Sequence, residues 1–488
     1  MSTRVTIEPS MSLIPVNSIR RTLSDERLQT AIYSSTGRLI AHRRTSVARI
    51  ALPDYQELRT QANRIKRWAI ENLDTCLEQL ERNVQARGGN VVWCSTGTEV
   101  ADFILDLAKK REAKLIVKSK SMTTEEIDLN ERLEHHGLTM VETDLGEYIL
   151  QLAHERPYHI VAPALHKTRF DVAEIFTERL GTPRETVPER QTLIAREVLR
   201  EKFLAADMGI TGANFLVADS GAAVVVENEG NARLSSSAPK IHIVVAGIEK
   251  VIPRAQDLGV YLTLLGRSAT GQPLTVYTSF LSGPRRECET DGPEEFWLVL
   301  LDNGRTKLLA DAEKRESLFC IRCGACLNHC PVYRKIGGHN YPWIYSGPIG
   351  AIITPQYHGI LHDPWLPYAS SLCGACAEVC PVKIDIPRLL LDLRSEVVAA
   401  KTARGENRME KTAFRAYAFA ACRPALYSRA SALAAMLSPR GRDGWLSDLP
   451  PLVKAKALEN WLSQRDLPAP ARRSFRQWWR TRKKAAEN

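Results

Sequence analysis

Nowhere in the 488 residues does an uncharged apolar run approach the roughly 18 that a membrane-spanning helix needs. Met1 to Thr45 is dotted with charges where a secretory signal would require an apolar core, so we expect no export. No G-x-G-x-x-G follows a strand-like run, which leaves a Rossmann-type dinucleotide site without support. No G-x-x-x-x-G-K-[ST] is present either, which removes a P-loop. Acidic residues are scarce at one end. From Lys401 onward there are 19 Lys and Arg against 7 Asp and Glu, so the net charge of +10 belongs to the tail. That tail closes on Arg472-Arg473-Ser-Phe475-Arg-Gln-Trp478-Trp479-Arg480, a solvated basic helix or one that docks on an acidic partner or an anionic membrane surface. The paired tryptophans favour docking, and no nucleic acid is expected.

What remains is ample for globular folding: 44% of the residues are apolar, and the length suits two to four domains. Residues 1–55 read as a polar arm with a short helix. Residues 56–300 alternate helical and strand patterns, which predicts an α/β domain with a largely parallel sheet. Tyr55 to Arg87 is helical and Thr96 to Arg111 is a second helix. Strands are expected at Asn90–Trp93, Leu115–Val117, Thr139–Glu142, His159–Ala162, Phe215–Ala218, Ala222–Glu227 and Ile241–Ala246. Thr123-x-x-Glu126 reads as a capping box. The run Lys118-Ser-Lys120-Ser121 before it is either helix capping on a polar loop or an anion site. Any ligand crevice of such a sheet lies beyond the strand carboxyl ends. Residues 301–400 form a cysteine-rich α-helical domain, in which Asp385 N-caps a helix with Ile386, Leu390, Leu393 and Val397 on one face. Residues 401–488 are a basic helical appendage.

Seven of the eleven cysteines fall in two tight sets. Cys320, Cys323, Cys326 and Cys330-Pro331 match the ferredoxin spacing C-x2-C-x2-C-x3-C-P at every position. Cys373, Cys376 and Cys380-Pro381 match it except at the opening position, held by Ser370. Disulfides suit short secreted chains, and zinc takes separated C-x2-C pairs, so iron–sulfur ligation is the expectation. So many reduced cysteines also point to the cytoplasm. In two-cluster ferredoxins the last cysteine of each set serves the other cluster. By that rule Cys320, Cys323, Cys326 and Cys380 hold cluster one, and Cys330, Cys373 and Cys376 hold cluster two. Both are expected as [4Fe-4S]. The second is alternatively [3Fe-4S], or is completed by Ser370, water, His358, His362, Cys288 or a partner's ligand. Cys76, Cys94 and Cys422 read as packing residues.

Longer runs extend the pattern: Ile116-Val-Lys-Ser-Lys-Ser-Met-Thr-Thr-Glu-Glu-Ile, His159-Ile-Val-Ala-Pro-Ala-Leu-His-Lys, Gly209-Ile-Thr-Gly-Ala-Asn-Phe, Leu301-Asp-Asn-Gly-Arg and Asp466-Leu-Pro-Ala-Pro-Ala-Arg-Arg-Ser-Phe-Arg-Gln-Trp-Trp. With both cysteine sets they make the chain resemble the lactate-utilisation protein B family, the iron–sulfur component of a bacterial L-lactate-oxidising system. Three-cysteine second sets occur in that family. The resemblance implies an α/β portion similar to sugar-isomerase and CoA-transferase folds. It also implies electron transfer during oxidation of L-lactate to pyruvate, in a complex with two sister proteins and toward an unknown electron acceptor. Two other classes stay open: a self-contained dehydrogenase using the α/β crevice, and an iron–sulfur redox sensor or scaffold.

Overall fold

Short runs of branched apolar residues become the strands. The structure, a computed structural model, describes residues 14–437, 445–446 and 467–486; Met1 to Leu13 of the expected arm and much of the basic tail lie outside the described residues. The strands are β1 (Asn90–Cys94), β2 (Leu115–Lys118), β3 (Thr139–Glu142), β4 (Met208–Thr211), β5 (Phe215–Val217), β6 (Ala222–Glu227), β7 (Ile241–Gly247), β8 (Val251–Ile252), β9 (Tyr277–Leu281) and β10 (Glu295–Leu301). Six of them form one sheet in the order β1-β10-β7-β4-β2-β3, parallel throughout. Every residue of β7 is buried, as a strand covered on both faces must be. Ile241, Ile243 and Val245 pack on one face with Ile104 and Leu133. Val244 and Ala246 pack on the other with Leu77 and Leu80.

A second, mixed sheet in the order β8-β5-β6-β9 was not anticipated. The antiparallel β5–β6 hairpin turns through Asp219-Ser-Gly221, where Gly221 has φ 62° and an added Cβ would meet the Asn83 backbone at 2.6 Å. The run His159–Ala162, expected as a strand, is a bend. Its His159 Nδ1 accepts the N–H groups of Val161 and Ala162 at 3.1 and 3.2 Å, a curl that extended chain cannot make. Tyr55 to Arg87 divides into helices Leu52–Glu71 and Leu73–Ala86. The helix at Met122–Glu126 is capped by Ser121, not by Thr123: Ser121 is extended and its hydroxyl accepts the Thr124 N–H at 3.3 Å, and the Glu126 carboxylate is held by Arg305.

The expected polar arm is a pair of helices, Val16–Ser24 and Glu26–Val47. Their polar residues made the segment look solvated, yet several reach the cysteine-rich domain. Arg43 Nη2 donates to the Val379 carbonyl at 3.1 Å, and Gln29 donates to that of Lys335 at 2.7 Å. From the next helix Arg59 donates to the Cys380 carbonyl at 2.9 and 2.7 Å. Asp385 caps Ile386–Ala403 as expected, its carboxylate accepting the Arg388 N–H at 3.2 Å, and Ile386, Leu389, Leu390, Leu393 and Val397 are buried.

Contacts divide the chain into residues 1–400 and 401–488. In the second unit, helices Arg408–Ala421 and Pro424–Leu437 precede a two-residue strand pair and a helix at Phe475–Ala486. Phe475, Trp478 and Trp479 cluster on that last helix with centroids 5.7 to 6.2 Å apart, and all three are exposed. Among the described residues no helix is long and apolar enough to cross a membrane.

His242, buried in β7 beside the Thr211 hydroxyl at 2.9 Å, gives the fold an acid-sensitive point. Burial pushes its pKa down from 6.5 to about 3. Between those values the unfolded chain binds a proton that the native state refuses. Stability is therefore full above pH 6.5 and falls as pH drops toward 3. The melting temperature should decline more steeply with acidification in the native sequence than in His242→Gln; equal slopes would remove His242 from the account.

Candidate iron–sulfur centre

The two cysteine loops have the same backbone. Arg322 (φ 60°) and Leu372 (φ 54°) both stand in the left-handed region one residue before a cysteine. Gly324 (φ 71°) and Gly374 (φ 84°) follow that cysteine and open the short helices Ala325–His329 and Ala375–Val379. The closing cysteines, Cys330 and Cys380, are extended at φ −79° and −65°, and a proline follows each. A non-glycine left-handed residue costs on the order of 1 kcal/mol. Both loops accept that cost at the same place. The opening positions match as well: Cys320 Sγ accepts the N–H of Arg322 at 3.4 Å, and Ser370 Oγ accepts that of Leu372 at 3.1 Å.

Cys320, Cys323, Cys326 and Cys380 line one small cavity, with Ile160, Ile321, Ile349, Val382 and Ile384 among its walls. Cys380 comes from the other loop, and helices Ala325–His329 and Ala375–Val379 pack together to bring it there. Burial pushes the Cys323 thiol up to about 12, with Cys380 and Cys320 adding to the shift. Burial likewise pushes Cys380 up to about 11. Thiols this crowded and dry do not ionise alone; they need cationic metal among them. The donor set thus fits an iron–sulfur cluster. The Ile384 N–H points at Cys380 Sγ at 3.4 Å, a contact that stabilises negative charge on sulfur.

The second set is more open. Cys330 and Cys376 are buried, whereas Cys373 is exposed. Burial and the neighbouring Cys330 and Cys373 push Cys376 up to about 11. The Tyr333 N–H reaches Cys330 Sγ at 3.5 Å. Of the other candidate ligands, His358 and His362 face the Asp363 carboxylate at 3.8 and 2.8 Å, and Cys288 is exposed between β9 and β10. Cys76 and Cys94 are core residues, but Cys422 is exposed and does not pack as expected. The long link between the sets is ordered by the helix Gly347–His358, whose Ile349 reaches the cysteine cavity.

A cavity of about 620 Å³ opens at the carboxyl ends of β2, β3, β4 and β7, where parallel sheets present ligands. Arg322 and Ile160 line both this cavity and the cysteine cavity, so the two share a wall. Behind it lies a buried network. Arg305 grips Glu126 through two bonds of 2.9 Å and also pairs with Glu249, which reaches Arg322 at 3.4 Å. Tyr345 donates to Glu126 at 2.6 Å and lies under the Arg322 guanidinium. The lysine-serine run resolves toward capping and internal pairing: Lys118 is buried between Glu125 and Glu142, each 2.8 Å away, and Lys120 donates to the Val161 carbonyl. Sequence reasoning missed Arg322, Lys250, Glu249 and Arg305. One signal was available: a cation sits inside the first cysteine loop where the second has Leu372.

An α/β domain feeding a doubled cysteine loop defines a two-part iron–sulfur protein. The model of the LUD domain matches residues 77–301, and that of the 4Fe-4S dicluster domain matches residues 316–384. Residues 392–484 match the model described as lactate utilisation protein B, C-terminal. The chain is 47% identical to lactate utilization protein B of Bacillus licheniformis over 95% of both chains. It is 45% identical to that of Bacillus velezensis over 95% of both, and 43% identical to that of Shouchella clausii over 96% of both. The chain belongs to the lactate utilization protein B family. A crystal structure of a DUF162 family protein from Deinococcus radiodurans matches with a TM-score of 0.28 at 12% identity, covering 47% of this chain and 98% of that one, too slight a likeness to bear on the fold.

Proposed function

We propose that this chain is the electron-carrying iron–sulfur subunit for oxidation of L-lactate to pyruvate, acting in the cytoplasm with two sister proteins and delivering electrons to an acceptor outside the chain. The observation that carries this reading is the gathering of Cys320, Cys323, Cys326 and Cys380 on one apolar cavity in a member of a lactate-utilisation family. In this reading those four hold one [4Fe-4S] cluster. Cys330, Cys373 and Cys376 hold the other, and Ser370 stands in the place of its missing thiolate. Clusters bound there supply one-electron exchange, at potentials set by burial and by hydrogen bonds to sulfur. The apolar walls exclude water, and the N–H groups of Arg322, Tyr333 and Ile384 hold the sulfurs. We also place the α/β portion with the sugar-isomerase and CoA-transferase folds.

Removing two electrons from a 2-hydroxy acid ordinarily requires a hydride acceptor, and no nicotinamide fingerprint occurs in this sequence. A relay role follows, with the exposed aromatic and arginine-rich helix at Phe475–Ala486 as the docking element for partners or an anionic membrane. The cavity beside the cysteines favours one rival, a self-contained lactate dehydrogenase. The test mixes anaerobic, cluster-replete protein with L-lactate, alone and with the sister subunits, and follows cluster bleaching and pyruvate. The partners should be required, and a chain ending at Ala403 should keep its iron–sulfur absorbance yet gain nothing from them. Pyruvate formed by this chain alone at an unimproved rate sinks the relay; normal coupling of the shortened chain sinks the docking role.

A further inference from the structure

Two buried cations face the large cavity and have only Glu249, which Arg305 also holds, as a nearby carboxylate. Lys250 ends the turn Ile248–Lys250 just past β7, is 8% exposed, and lines the cavity. Its ammonium forms no ion pair or hydrogen bond among the described residues. Arg322 is 9% exposed, and its Nε and Nη1 are buried with no hydrogen-bond partner. Its one carboxylate contact, Nη2 to Glu249 at 3.4 Å, is long, and Glu249 is shared with Arg305. A buried charge left unmatched is costly, and a guanidinium with free N–H groups suits a carboxylate.

Of the other charged groups lining the cavity, exposed Arg38 donates to Ser35 Oγ at 3.4 Å and Lys120 donates to the Val161 carbonyl. Glu227 accepts the N–H groups of Ala232 and Arg233 at 2.8 Å each, and Glu229 accepts that of Leu145 at 3.1 Å. Asp144 caps the helix Leu145–Ala153, and Lys167 pairs with Glu155. Burial and Asp144 push Glu229 up to about 7, and the buried N–H groups of the cavity that lack an acceptor are those of Arg322, at the wall shared with the cysteines. That wall also carries Ile160, an apolar surface for a short carbon chain.

We infer that this cavity binds a small 2-hydroxy or 2-oxo carboxylate, with Lys250 and Arg322 receiving its carboxylate. The inference rests on the lactate reading for the class of acid and adds that this chain itself meets the acid, one side chain from the first cysteine set. Thiolates around a bound metal also draw on Arg322, which lines both cavities. Lys250 lines only the α/β cavity but also feels the charge of Cys320, so oxamate affinity is read beside iron content and cluster potential.

The probe is oxamate, a pyruvate isostere that is not oxidised here, titrated calorimetrically into anaerobic full-length protein with its clusters in place. Oxamate should bind the native protein and bind Lys250→Met at least tenfold more weakly. Lys250→Arg should recover part of the affinity, with iron and acid-labile sulfide unchanged in both variants. On the unaltered protein, oxamate should also shift the electron paramagnetic resonance of the reduced first cluster through Arg322, a readout that needs no variant to fold. Absence of oxamate binding overturns the inference, as does equally tight binding of inorganic phosphate at the same site. Lys250→Met that alters the cluster potential but leaves oxamate affinity intact overturns it too. Lactate-driven cluster reduction with the sister subunits, in protein that ignores oxamate, defeats this inference alone. Oxamate binding without any such reduction defeats the relay reading alone.

Discussion

Cys323→Ala is expected to lose about half of the iron and acid-labile sulfide of the native protein. Cys323 is buried in the four-cysteine cavity, and removing it leaves three donors, of which burial pushes the Cys326 and Cys380 thiols up. Cys373→Ala should spare that centre and deplete chiefly the other, since Cys373 lies on the exposed side of the second set. Iron and sulfide assays with electron paramagnetic resonance of the reduced protein read both outcomes. Stoichiometric zinc without labile sulfide, or a Cys323→Ala protein with full iron, refutes the ligand assignment.

Arg305→Met should be among the most destabilising single substitutions in the chain. The guanidinium is fully buried between Glu126 and Glu249, and its loss strands two carboxylates in a dry interior. Removing one partner of a buried ion pair costs about 3–5 kcal/mol. In a unit spanning residues 1–400 that corresponds to a melting temperature lower by roughly 4–6 °C. The effect should reach the cysteine domain, because Glu249 also holds Arg322 and Tyr345 is hydrogen-bonded to Glu126. A melting temperature within about 2 °C of the native value would show that the network does not hold the two parts together.

The cysteine sets and most strands were legible in the sequence because each rests on local information. Thiolate spacing is a pattern of a few residues, and β2 and β7 are runs that only a covered sheet accommodates, whereas β4 and β10 were not foreseen. What escaped depended on distant partners. The helix Glu26–Val47 looked like a solvated arm because Gln29 and Arg43 find their acceptors some three hundred residues away. Glu126 looked like a cap because its capping position is local, whereas Arg305 lies far along the chain. His159 read as the start of a strand until its own ring nitrogen was seen to hold the bend. The wall between the two cavities was invisible for the same reason: Lys250 and Arg322 belong to different domains and meet only in the folded chain.

The matching loops, with left-handed residues at the same two places and equivalent N–H contacts at Cys320 and Ser370, read as one duplicated unit. Turn and chemistry are carried by different parts of that unit. The backbone is written into a glycine and the residue two before it, while ligation at the opening position depends on one side-chain atom. Oxygen stands there where the first loop has sulfur, and the curve of the chain is the same, so the inequality between the halves is elemental and not architectural. A serine-to-cysteine exchange at residue 370 stands one atom away from restoring their likeness.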